Sequence, residues 1–189
     1  MFAVRIHGRG GQGVVTAAEL LAVAAFVEGR HAQAFPSFGS ERTGAPVAAF
    51  CRMGDAPIRT REPILAPDAV VVADATVLHQ VDVLQGLCSG GYLLVNTARP
   101  ATDLEVSTDR VFRLCLVPAT DIARQHVGRP LPNAALLGGF AALTGCVRLD
   151  SVLAAIRQRF PEPVAARNVA AAEAAYALVH AAQPEASRA

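Results

Sequence analysis

Lysine is missing from this 189-residue sequence, and all 17 of its basic residues are arginine. That excludes a phosphate-binding lysine of the Walker type and a Schiff-base lysine. Tryptophan is absent too, and charged residues make up only 17% of the chain. With a net charge of +1 and dispersed arginines, the sequence lacks the electrostatic footprint of a nucleic-acid binder. The four cysteines, Cys51, Cys88, Cys115 and Cys146, lie 37, 27 and 31 residues apart. No CxxC pair and no ferredoxin spacing can be drawn from them, so four buried, reduced thiols are expected and no metal site. Apolar runs such as 20–27 and 69–73 fall far short of the ~20 residues that span a bilayer, so no membrane span is expected. The chain opens on the strand-like FAVRIH with no secretory-signal pattern, which points to a cytoplasmic location.

What is present is apolar and alanine-rich: 52% of residues are hydrophobic. Some of that excess is surface expected to be covered in a complex, since large exposed apolar patches mark interfaces. Length and the lack of an internal linker give one domain, 1–189. Residues 2–7 alternate as a strand, 8–13 break the pattern, and 14–27 carry helical spacing. Strands are expected at 31–35, 47–53, 69–73, 92–96 and 111–117, and helices at 77–87, 119–126, 134–144, 151–160 and 164–182. This predicts an α/β fold: a single-domain open, mostly parallel, Rossmann-like sheet with helices on both faces and a helical C-terminal third. Ligands on such sheets bind beyond the carboxyl ends of strands, where strand order reverses.

Two loops there carry the chemistry. The first is GRGGQG, formed by Gly8, Arg9, Gly10, Gly11, Gln12 and Gly13, between a strand and a helix. Glycines allow a tight turn whose N–H groups approach a phosphate, and the helix start adds the positive end of a dipole. The same pattern also serves as a bare strand-to-helix turn, and on the pattern alone both readings stay open. A dinucleotide site would add an acid at the end of the second strand, where this chain has Ala34, Phe35 and Pro36, so NAD binding by this chain is disfavoured. The second loop, 36–47, reads PSFGSERTGAPV. Its hydroxyls, glycines and Arg42 suit a phosphate or pyrophosphate, while a structural Glu41–Arg42 pair is the competing reading.

GRGGQG followed by SFGSERTGAP resembles the gamma subunit, or gamma domain, of the pyruvate and other 2-oxoacid:ferredoxin (acceptor) oxidoreductases. PNAALLGGF at 132–140 is similar to that family's Asn-x-x-x-Leu-Gly segment, and Asn168 falls in its C-terminal helix. The resemblance implies a multi-subunit enzyme that oxidatively decarboxylates a 2-oxoacid to an acyl-CoA. It places thiamine diphosphate, magnesium and [4Fe-4S] clusters in alpha, beta and delta-type partner subunits, with ferredoxin as acceptor, or NAD through a further FAD-carrying subunit. The gamma part would share in binding coenzyme A and supply no catalytic residue. The family's binding loops map here onto Gly8, Arg9, Gly10, Gly11, Gln12 and Gly13, and onto Ser37, Phe38, Gly39, Ser40, Glu41, Arg42 and Gly44. Phe38 stands where tyrosine is commoner, and Thr43 and Ala45 where the family often has arginine or glycine. Arg42 is the first choice for a phosphate contact. A solitary nucleotide-binding module and a purely structural subunit are the alternatives that the residues leave open.

Overall fold

The computed structural model describes residues 1–37, 43–104 and 111–183. A sheet of six strands, ordered β2-β3-β1-β4-β5-β6, forms its centre. The strands are β1 (Phe2–Arg9), β2 (His31–Pro36), β3 (Pro46–Gly54), β4 (Ala69–Val72), β5 (Tyr92–Asn96) and β6 (Arg113–Val117). Five of them run one way. β3 opposes them, pairing antiparallel with both β1 and β2, while β1, β4, β5 and β6 pair in parallel. The cause is chain length: residues 37–45 are too few for a parallel crossover, which needs roughly a dozen residues or more, so β3 returns as a hairpin. β2 is thereby displaced to the sheet edge, two places from β1.

The strands alternate cleanly. Val4, Ile6, Cys51, Val71 and Leu94 face one side and join a core with five α-helices. These are α1 (Val14–Val27), α2 (Ala119–His126), α3 (Asn133–Thr144), α4 (Leu149–Arg159) and α5 (Val164–Ala182). Small residues let α3 and α5 pack closely: a Cβ added to Gly138 would overlap the Ala172 carbonyl. The alanine richness of the sequence is thus largely spent on helix contacts, with Ala135, Ala171, Ala172 and Ala175 fully buried.

Val70, Val72, Leu93 and Val95 face the other side and are covered by Val77, Val83, Leu84 and Leu87. Helix therefore lies on both faces, but unequally. The expected helix over 77–87 is instead a 3-10 helix, Ala75–His79, followed by turns. Arg5, buried in β1, explains the change. Its guanidinium donates to the carbonyls of Ile64, Val83 and Gln85. A continuing α-helix would use the Val83 carbonyl internally, and a buried guanidinium with fewer acceptors would be costly. Gly86, at φ 74°, packs beneath the Leu65 carbonyl and completes the turn.

Of the four cysteines only Cys51 is buried; the other three are half-buried, which corrects the expectation of four buried thiols. All are free. No helix among the described residues is long and apolar enough to cross a membrane.

Candidate functional site

Strand order reverses between β1 and β4, because the chain leaves β1 for β2 and β3 on one side and returns to β4 on the other. A crevice of about 880 Å3 opens there, beyond the carboxyl ends of β1, β4, β5 and β6. Its walls include Gly10, Gly11, Gln12, Asp74, Thr76, Asn96, Thr97, Arg99, Thr120 and Arg124.

The glycine loop is held in shape by its own side chains. Gln12 Oε1 accepts from the Arg9 N–H at 2.8 Å, and Gln12 Nε2 donates to Asp74 Oδ2 at 2.8 Å. Arg9 lies across the loop: Nε and Nη2 donate to Thr76 Oγ1, Nη1 donates to the Gly44 carbonyl, and Nε is 3.5 Å from Asp74 Oδ2. Thr76 Oγ1 in turn donates to Asp74 Oδ1 at 2.6 Å. Burial by itself would raise the pKa of Asp74. The hydrogen bonds from Thr76 and Gln12 and the charge of Arg9 outweigh it, so the carboxyl is held below the usual carboxylate range. Asp74 is thus an anion at neutral pH, and it ties the end of β4 to the glycine loop. Beside it Asn96 is fully engaged, donating to Ala73 O and Thr120 Oγ1 and accepting from Thr120 N–H.

The structure brings the two sequence-predicted loops together. Gly10 forms a β-bridge with Thr43, its N–H donates to Ala45 O, and Gly44 N–H donates to Gly10 O. Ser37 closes the hairpin by donating its N–H to Ala48 O. Phe38, Gly39, Ser40, Glu41 and Arg42 lie outside the described residues. Gly8 ends the close approach of β1 to its neighbours, since a Cβ there would sit 2.6 Å from Val14 Cγ2 and 3.0 Å from Ala73 Cβ. Gly11 and Gly13 adopt φ of 92° and 75°, a region that favours glycine. Asp74 and Asn96 stand at the ends of β4 and β5, where a polar residue serves a turn as readily as a site. Thr76, Arg99 and Arg124 were missed, since an isolated Thr or Arg in a loop carries no pattern.

His7, one residue before the glycine loop, is buried, and its Nε2 has no hydrogen-bond partner. Burial first, and the charge of Arg5 second, lower its pKa to about 4. It is a neutral, buried imidazole at pH 7 and is not among the residues that line the crevice. Burial likewise pushes the Cys115 and Cys146 thiols up to about 11 and Cys51 higher still, so none is a thiolate at neutral pH.

Residues 3–178 match the family of pyruvate ferredoxin/flavodoxin oxidoreductases. The chain belongs to that family. It is 49% identical over 177 residues to the pyruvate/ketoisovalerate oxidoreductases common subunit gamma of Thermococcus kodakarensis, an alignment covering 93% of this chain and 96% of the relative. It is 47% identical over 176 residues, with the same coverage, to pyruvate synthase subunit PorC of Methanothermobacter marburgensis. A solved structure, pyruvate oxidoreductase subunit PORC of Thermotoga maritima, matches it with a TM-score of 0.82 at 40% identity, over 93% of this chain and 95% of that one. The family likeness read from the two loops is therefore correct, and the match runs the length of the fold rather than resting on those loops.

Proposed function

We propose that this chain is the gamma subunit of a thiamine diphosphate-dependent 2-oxoacid:acceptor oxidoreductase, and that its crevice holds coenzyme A beside an active site built by partner chains. The observation that carries the reading is the joining of the glycine loop to the second loop at the rim of a switch-point crevice, through Gly10–Thr43 and Arg9–Gly44. The residues suit a phosphate-bearing thiol ester former. The crevice offers Thr97, Arg99 and Arg124 as donors, and Gly11 leaves open space where a side chain would stand. Among the described residues its walls hold no cysteine, and under this reading coenzyme A brings the reacting thiol itself.

The chemistry this chain contributes is positional. Thiamine diphosphate and [4Fe-4S] clusters held by partner chains would supply decarboxylation of the 2-oxoacid and removal of electrons to ferredoxin or another acceptor, and this chain's residues would hold the coenzyme A whose thiol takes up the acyl group. Fixing that thiol at reacting distance draws on the ~7–11 kcal/mol that orientation can supply at most. Asp74 and Gln12 act one step back, by presetting the glycine loop through Arg9. The alpha, beta and delta-type subunits, the cytoplasm as the site of work, and the breadth of the relatives named for both pyruvate and ketoisovalerate belong to the same proposal.

The test is steady-state kinetics of the assembled enzyme carrying Arg124→Gln or Asp74→Asn. A raised KM for coenzyme A with an unchanged KM for the 2-oxoacid supports the reading. An unchanged KM for coenzyme A in both variants removes it.

A further inference from the structure

The sheet ends at β6, whose outer edge is unpaired among the described residues. Arg113 N–H donates to the Gly91 carbonyl and the Val117 carbonyl accepts from the Thr97 N–H, so Arg113, Cys115 and Val117 turn their backbone groups toward β5. In a parallel ladder the residues between them face the other way. Leu114 and Leu116 therefore direct N–H and C=O outward. Among the described residues these groups meet nothing beyond a 4.0 Å contact from Cys115 Sγ to the Leu116 carbonyl. Pairing with β5 runs without a bulge from Arg113 to Val117, and the strand holds no proline, so two common guards of a free edge are missing. The opposite edge strand, β2, ends on Pro36.

A groove of about 600 Å3 runs beside this edge, between it and the C-terminal ends of α3 and α5. Its walls include Cys115, Leu143, Thr144, Val179 and Gln183. Leu114 on the strand is 37% exposed, and Val111 just before it 76%. Arg113 also lines the groove; its Cζ lies 5.2 Å from the Tyr92 ring centroid and its Nη1 donates to the Tyr92 hydroxyl at 3.2 Å. Among the described residues no carboxylate pairs with Arg113, and none lines the groove. Its charge is therefore uncompensated. Arg113 opens β6, at the end of the sheet away from the crevice, so an occupant of the groove leaves the crevice free.

We propose that β6 and this groove receive an extended segment of a partner subunit, which adds a strand to the sheet. The segment carries an Asp or Glu opposite Arg113 and, on the same face, an apolar side chain that fills the groove over Cys115 and Val179. Main-chain hydrogen bonds to Leu114 and Leu116 would attract any extended chain, and the carboxylate and the groove select among them. Arg113 decides against a second copy as the occupant. β6 reads RLCLV and holds no acidic residue, so pairing it with itself would leave both arginines without a counter-charge. The proposal rests on the reading of this chain as one subunit of several.

The test compares hydrogen exchange of the full chain alone and in the assembled enzyme, read at single amides by fragmentation mass spectrometry. Exchange at Leu114 and Leu116 should slow at least tenfold in the assembly, whereas Arg113, Cys115 and Val117, already turned to β5, should change little. The conservative variant Arg113→Lys then identifies the occupant, because it puts a side-chain amine into a chain that has no lysine. Carbodiimide treatment of the assembled enzyme should couple that amine to an Asp or Glu of a partner subunit. Coupling to a second copy of this chain or to its own carboxylates, or no coupling at all, overturns the proposal. Partner chains that co-purify while Leu114 and Leu116 exchange as fast as in the free chain remove this inference and leave the subunit reading standing. A chain that purifies alone removes both. Protection and coupling in an assembly whose activity is indifferent to coenzyme A support the added strand and remove the coenzyme A reading.

Discussion

Replacing Gly11 and Gly13 separately by alanine should give unequal effects, because the two differ in surroundings and not in backbone type. Both sit at positive φ, 92° and 75°. That conformation costs an alanine about 1–2 kcal/mol at either position. Around Gly11 nothing lies within 4 Å of an added Cβ, so the backbone cost is the whole cost. At Gly13 the new methyl would meet Asn133 Nδ2 at 2.8 Å and Asn133 Cγ at 3.3 Å. Because Asn133 Cγ and Cβ, at 3.3 and 3.5 Å, are crowded along with the amide, the side chain must shift as a whole, which adds about 1–3 kcal/mol more. For a domain of this size each 1 kcal/mol lowers the melting temperature by about 2–4 °C. Thermal unfolding by circular dichroism should therefore show Gly13→Ala melting several degrees below Gly11→Ala. Gly11→Ala should also spare the fold while raising the KM for coenzyme A in the assembled enzyme. Equal melting temperatures for the two variants would refute the packing argument, and with it the placement of Asn133 over the loop.

Other predictions follow from the same contacts. His7 has a folded pKa of about 4, below the ordinary 6.5, so the unfolded chain binds the extra proton between those values and stability falls as pH drops through that window. The full difference amounts to about 3 kcal/mol, and His7→Gln should flatten the pH 6.5 to 5 part of a urea-unfolding profile. Asp74, whose pKa is lowered, contributes stability that is complete above the ordinary carboxylate pKa of ~4 and is lost as pH falls through its depressed value. Asp74→Asn should cost about 1–3 kcal/mol at pH 7 by denaturant melts and remove that acid-side loss. Gly138→Ala, which drives a methyl into the Ala172 carbonyl, should separate α3 from α5 and prevent soluble expression, whereas Gly128→Ala, with open space around it, should not.

How much was legible in the sequence depends on whether the signal was local. β1, α1, β4, β5 and the C-terminal helices follow from residue periodicity, and the glycine loop from spacing, since each is a local property of the chain. The failures come from distant partners. The segment 77–87 has a helical pattern, yet Arg5, more than 70 positions away, takes the Val83 and Gln85 carbonyls and holds it as turns. β3 reads as a strand, and its short connection to β2 sets it antiparallel, but nothing in its residues places it between β1 and β2. The network of Gln12 and Arg9 with Asp74 and Thr76 joins residues 62 to 67 positions apart, and only the sheet order makes them neighbours.

The measurement that tests the account most directly is anaerobic purification of the tagged chain from its native host, with cofactor analysis and a dye-reduction assay on what co-purifies. The account predicts partner subunits carrying thiamine diphosphate and iron, and reduction by a 2-oxoacid that requires coenzyme A. A lone chain without those cofactors, or oxidation indifferent to coenzyme A, would contradict it.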